Sequence, residues 1–135
     1  MTVETEAYRA AIGPGLLVLL AIERGDGEAE ADWMAGKLAT LRVFADEHHS
    51  MNRSIRAAGG EVLLVSQFTL VADCARGNRP SFDAAAPPEQ ARVLFDRVAQ
   101  NLGTEHGLNV ACGVFGAMMQ VSLVNDGPVT LILRK

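Results

Sequence analysis

The sequence predicts an α/β domain in which two helices pack on one side of a mixed sheet system, and three observations carry that expectation. The first is an unbroken apolar run, Leu16 to Ile22. The second is a pair of helical stripes, one with Met34, Leu38 and Leu41 spaced i, i+4 and i+7, the other with Ala91, Leu94, Phe95, Val98 and Leu102. The third is two apolar, β-rich runs, Val121 to Val124 and Val129 to Leu133, flanking the polar tetrapeptide Asn125-Asp126-Gly127-Pro128. That pattern is strand, tight connection, strand.

In chain order, Met1 to Ala11 alternates only weakly, as a frayed end or an edge strand would. Leu16 to Ile22 is apolar on both faces, which suits a central strand covered on each side. Glu23 to Gly27 breaks the run. A helix is expected from Glu28 to Val43, with Glu28, Glu30 and Asp32 near its positive dipole end and Trp33 extending its stripe. Phe44 leads into a polar loop, Ala45 to Arg53, and Ala57-Ala58-Gly59-Gly60 forms a turn. The next strand is expected over Glu61 to Val71, with Ser66 and Phe68 on one face and Gln67 and Thr69 on the other. Asp73 to Phe82 is a loop. Pro87-Pro88 opens the second helix, where a missing N–H costs nothing, and Gly103 suits its C-terminal cap. Val110 to Val114 is a short strand before the final pair. With no internal repeat, linker or low-complexity tract, residues 1–135 are expected to form a single domain.

Composition narrows the classes. The 135 residues are 49% apolar and 21% charged, a globular balance without a bias toward disorder. The apolar run is far too short to span a bilayer and no positively charged n-region precedes it, so no export signal is expected, and two isolated cysteines suit a reducing cytoplasm. Cys74 and Cys112 form no C-x-x-C pair, which argues against a disulfide framework and a zinc site. A net charge of −4 disfavours a broad nucleic-acid footprint, so any RNA contact should be small and local.

Hydroxyl and thiol groups at Ser66, Thr69, Cys74 and Cys112 are the candidate nucleophiles, and His48, His49 and His106 the candidate bases. A working hydroxyl needs a base within hydrogen-bond reach and a third group to orient it. No histidine stands in a recognisable relation to Thr69, so backbone N–H groups near Phe68 and Thr69 are the better source of oxyanion stabilisation. X-Pro bonds alone are cis with useful frequency, so Gly127-Pro128 can aim a carbonyl that an ordinary turn would not present.

The segments Ser66-Gln67-Phe68-Thr69 and Asn125-Asp126-Gly127-Pro128-Val129-Thr130 resemble the two signatures of the D-aminoacyl-tRNA deacylase family. Further similar patches are Gly13 to Leu19, Leu41 to Phe44, Met51-Asn52, Arg79 to Phe82 and Phe115-Gly116-Ala117, so the resemblance runs over nearly the whole chain. It implies a three-layer α/β/β, barrel-like fold assembled as a homodimer, without cofactor or metal. It implies hydrolysis of the ester of D-aminoacyl-tRNA, and of glycyl-tRNA mischarged on tRNA-Ala. Ser66, Gln67, Phe68 and Thr69 would then form the catalytic segment, assisted by the 2′-hydroxyl of the terminal adenosine. Gly127 and Pro128, as a Gly-cis-Pro motif reaching across the dimer, would exclude L side chains, with Met119, Phe115 and Ala91 lining the pocket.

Arg76 and Arg79, with Arg53 and Arg56, are the nearest approach to a basic patch and suit bidentate phosphate contact at the tRNA acceptor end. The sequence departs from the family in three places. His49-Ser50 stands where Gly-Lys is usual, Met118 where an acid is frequent, and the usual first strand with its Gln-Arg pair is missing ahead of Val3. An open edge is unfavourable, so a start assigned too late is the expectation for the last of these. Two rival functions are a small-molecule esterase with Thr69 as nucleophile and a noncatalytic RNA-end binding module.

Overall fold

The computed structural model describes residues 1–127 and 129–135. Its elements are β1 (Thr2–Glu4), β2 (Arg9–Ala11), β3 (Gly15–Leu20), α1 (Glu28–Thr40), β4 (Arg42–Phe44), β5 (Arg53–Ser54), α2 (Ile55–Ala58), β6 (Glu61–Ser66), a 3₁₀ turn (Phe68–Val71), α3 (Pro88–Thr104), β7 (Val110–Cys112) and β8 (Gln120–Ser122).

Val62 to Val65 are all buried, and β6 accordingly takes the middle of a parallel sheet ordered β3-β6-β7. The apolar run at Leu16 is covered on both faces as expected, yet it is an edge strand, with Leu19 42% exposed. Parallel strands are apolar whether central or peripheral, so hydropathy alone could not distinguish the two positions. Gly15 pairs with Glu61, and a Cβ there would stand 1.8 Å from the Glu61 carbonyl oxygen. Gly15→Ala should therefore push the two strands apart and destabilise the protein by about 3 kcal/mol, measured as a lower denaturation midpoint.

Helix α1 begins where the Glu30 carboxylate accepts the Gly27 N–H at 2.8 Å. Its buried face is Ala31, Ala35, Leu38 and Ala39, and the three alanines let it lie close against α3. Only Leu38 of the expected stripe is fully buried. Met34 is partly buried, Leu41 lies just past the helix end, and Trp33 sits near the ammonium groups of Lys37 and Lys135. Helix α3 buries Leu94, Phe95, Val98 and Leu102, with Ala91 packed beside them. Gly103 does not cap it: the helix continues to Thr104, and Gly107, at φ +66°, makes the reversal that buries Leu108.

Asp32 on α1 accepts two hydrogen bonds from Arg97 of α3, at 2.7 and 2.9 Å, and a third from the Asn101 amide. The Arg97 guanidinium holds the Asp32 carboxyl below the usual aspartate range. A depressed carboxylate stabilises the fold above its unfolded-state pKa and loses that contribution as pH falls through the folded value. Asp32→Asn should thus melt below wild type at neutral pH, and the two melting temperatures should converge in strong acid.

On the other face of the parallel sheet lies an antiparallel sheet ordered β2-β1-β8. The amino-terminal stretch is not frayed and only half of it is an edge: β2 is the outer strand of this sheet, whereas β1 pairs on both sides and Val3 is wholly buried against Ile12, Leu63 and Val65. Tertiary pairing has overridden a weak local pattern. Two cores result, one between helices and parallel sheet and one between the sheets, giving the three-layer α/β/β arrangement. Among the described residues the sheets stay open, without closing into a barrel, and each is of a single sense.

The final strand pair is only half formed. β8 ends at Ser122, and Val129 to Leu133 follow as irregular chain. The composition favours a strand, but among the described residues this segment joins no ladder. The tail is anchored instead by Leu133 in the helix-side core and by Arg134, which meets Glu23 at 3.0 Å. No helix among the described residues is long and apolar enough to cross a membrane.

Candidate active site

The Ser66-Gln67-Phe68-Thr69 segment is a strand end followed by a turn, not the continuous strand expected to Val71. β6 stops at Ser66, the Gln67 N–H still donates to the Leu20 carbonyl at 2.8 Å, and the chain then tightens into the 3₁₀ turn. The alternating faces predicted for Gln67, Phe68 and Thr69 are therefore absent. The turn has a different consequence: its first N–H groups lie outside any ladder. Neither the Phe68 nor the Thr69 N–H donates to a described residue, and both residues are exposed.

Thr69 Oγ1 accepts a short hydrogen bond from the Gln67 side-chain amide. None of the three imidazoles hydrogen-bonds to Ser66 or Thr69. His48 and His49 lie in a loop held by the Asp46 carboxylate, which accepts both their N–H groups and the Asn52 amide. That carboxyl is accordingly held below its usual range, by Asn52 first. His106 takes part through its backbone alone, its carbonyl accepting from Arg56 and its N–H donating to the Asn101 carbonyl. Cys112, partly buried in β7, has its thiol pushed up by burial and then by Asp96, which makes it a poor nucleophile at neutral pH. Among the described residues no group of histidine, cysteine or acidic side chains is placed to hold a metal ion.

Phe68, 55% exposed, meets Phe82 edge-on with ring centroids 5.1 Å apart. This contact brings the Ser-Gln-Phe-Thr segment against Arg79-Pro80-Ser81-Phe82, whose loop is closed by the Asp73–Ser81 bridge and carries exposed Arg76 and Arg79. The other expected pocket residues do not gather. Phe115 and Ala91 pack in the helix-side core and Met119 in the core between the sheets. Arg92 lies 5.0 Å from the Phe115 ring, a partner that nothing in the sequence signalled.

Asn125 donates to Thr130 Oγ1 at 3.4 Å across the carboxy-terminal loop. A Cβ at Gly127 would stand 2.6 Å from the Val129 nitrogen and 3.1 Å from Asn125 Oδ1, so the loop has no room for a side chain there. The expected cis bond falls on Pro128, outside the described residues.

The α/β/β fold, the open N–H groups at a strand end and the glycine-dependent loop after β8 are the setting in which the comparisons with known proteins place a hydrolase of the deacylase class. The chain belongs to the D-Tyr-tRNA(Tyr) deacylase family, whose profile matches residues 1–134. It is 58% identical over 125 residues to a D-aminoacyl-tRNA deacylase of Chlorobaculum tepidum, covering 93% of this chain and 83% of that one. With a D-aminoacyl-tRNA deacylase of Desulfitobacterium hafniense it shares 56% over 134 residues, 98% and 88% of the two chains. Among solved structures it superimposes on the c-Myc DNA Unwinding Element Binding Protein with a TM-score of 0.85 and 38% identity, over 95% of this chain and 87% of that one.

Proposed function

We propose that this protein hydrolyses the ester of D-aminoacyl-tRNA, and of glycyl-tRNA mischarged on tRNA-Ala, releasing free tRNA and the amino acid in the cytoplasm. The observation that carries the reading is the pair of open N–H groups at Phe68 and Thr69, in a chain of the deacylase family. Water adds to the ester carbonyl, and the charge developing on its oxygen is held by those two donors. The bond to the 3′-oxygen of the terminal adenosine then breaks, and that oxygen takes a proton relayed by the neighbouring 2′-hydroxyl. No strong side-chain base is needed. Ser66 and Gln67 hold the segment in place, Gln67 through its bond to Thr69.

In this reading Gly127 and Pro128 of a second copy exclude L side chains. Dimerisation is favoured by the open side of β8 and by the apolar residues beyond it, with Val124 86% and Ile132 96% exposed. Sedimentation at micromolar concentration should give twice the monomer mass. Arg76 and Arg79, flanking the Phe68–Phe82 pair, contact acceptor-end phosphate.

The decisive assay compares turnover of D-tyrosyl-tRNA with turnover of a simple D-tyrosine ester. Hydrolysis confined to the tRNA ester supports the deacylase, whereas equal rates identify a small-molecule esterase. A nucleic-acid binder without catalysis is favoured by one observation, the 38% identity to a protein named for DNA binding. Tight tRNA binding without turnover would establish that alternative. Metal-independent chemistry further predicts equal rates with and without EDTA, and loss of activity restored by zinc would contradict it.

A further inference from the structure

The four arginines that the sequence groups together belong to two separate places in the fold. Arg76 and Arg79 lie beside Phe82, past the carboxyl end of β6, whereas Arg53 and Arg56 flank its amino end, where α2 leads through Gly59-Gly60 into Glu61. Six strand residues at about 3.3 Å each separate the two ends by about 20 Å. At the amino end, Arg53 and Arg56 are joined by Arg42 around an open cleft of about 370 Å³, bounded also by Thr40, Asn52 and Ala57. None of its lining side chains is acidic.

We propose that this cleft binds phosphate, and that the phosphate it takes is a backbone phosphodiester of the tRNA, about 20 Å from the ester. The choice of polynucleotide rests on the deacylase reading, whereas the anion chemistry stands on the cleft alone. Two of the guanidinium groups are held in place by carbonyls, Arg53 by Ala57 and Arg56 by His106 at 3.0 Å, which leaves most of their N–H groups free. The Arg42 side chain makes no hydrogen bond or ion pair with a described residue, its backbone alone pairing with Ser54. The Asp46 carboxylate, which bonds Asn52 of the cleft wall, is also occupied by two backbone N–H groups. Planar forks of this kind match a phosphate bidentately. A protein of net charge −4 repels RNA over most of its surface, so a local unpaired cationic cleft is where a backbone would be held.

The test is fluorescence anisotropy with uncharged tRNA, which reports binding independently of hydrolysis. Arg53→Gln with Arg56→Gln should lower affinity at least tenfold near about 50 mM salt and flatten the log K against log salt slope by about one to two. Arg42→Gln, which breaks no internal bond, should act in the same direction and so excludes a folding defect as the cause. Arg9→Gln, on the antiparallel sheet, should leave binding unchanged. Titration with inorganic phosphate should shift the Arg42, Arg53 and Arg56 side-chain NMR signals. If phosphate shifts them while tRNA binding is insensitive to all three arginines, a small phosphorylated ligand replaces the polynucleotide and the proposed source is overturned. If neither probe responds, the cleft is not an anion site. Arginine-dependent tRNA binding by a protein that hydrolyses no D-aminoacyl-tRNA would remove the deacylase reading and keep the cleft.

Discussion

The protein should hydrolyse D-tyrosyl-tRNA at least about a hundredfold faster than L-tyrosyl-tRNA, and Gly127→Ala should erode most of that ratio. Discrimination by exclusion needs backbone placed where an L side chain would go, and a clash costing about 3 kcal/mol already yields about a hundredfold. In the proposed mechanism Gly127 can serve that need only while it lacks a Cβ, because a methyl group there would come within 2.6 Å of the Val129 nitrogen. The alanine variant must move its backbone, and the carbonyls it carries move with it. Hydrolysis of the L ester should rise about tenfold while the D rate falls. Comparable wild-type rates on the two enantiomers would end the exclusion mechanism altogether. An unchanged ratio in Gly127→Ala would acquit this glycine specifically. Both are read from single-turnover time courses at matched substrate concentration.

How much was legible beforehand depended on whether local chemistry or remote pairing decided the structure. The stripe of α3 is set by its own period, and Leu94, Phe95, Val98 and Leu102 are buried as the spacing requires. Val62 to Val65 read as strand for the same local reason. By contrast β1 is central only because β8, over a hundred residues later, pairs with it, and no pattern within Met1 to Ala11 announces that. Gly103 and Gly107 are chemically identical candidates for a cap, and only the burial of Leu108 selects the second. At the site, Ser66 was read inside a strand running on to Val71, and both the strand's end at Ser66 and the 3₁₀ turn after it were hidden because Phe68, Leu70 and Val71 suit a strand equally well. The separation of Arg53 and Arg56 from Arg76 and Arg79 was also invisible, since it is the length of β6 that keeps them apart.

Thr69→Ala should lower activity by only about tenfold, whereas a substrate ending in 2′-deoxyadenosine with the amino acid on its 3′-oxygen should be hydrolysed about 10²–10⁴-fold more slowly. If Thr69 Oγ1 were the nucleophile, the substitution would remove the attacking atom and the rate would fall by many orders of magnitude. The hydroxyl has no such equipment: its hydrogen-bond partner is the Gln67 amide, which donates to it and cannot take its proton. The N–H groups of Phe68 and Thr69 survive the change to alanine, so the oxyanion keeps its donors. What is lost is one bond that steadies the turn, an effect of about tenfold or about 1.4 kcal/mol. Removing the 2′-hydroxyl instead takes away the group that, in the proposed mechanism, relays a proton to the leaving oxygen, and general acid–base assistance of this kind is worth about 10²–10⁴ in rate. Each substrate therefore needs to be measured with each protein. Inactive Thr69→Ala combined with full wild-type activity on the deoxy substrate would transfer catalysis to the side chain. The reverse pattern, in which the variant and wild type respond alike to loss of the 2′-hydroxyl, places the chemistry on backbone donors and on the substrate itself.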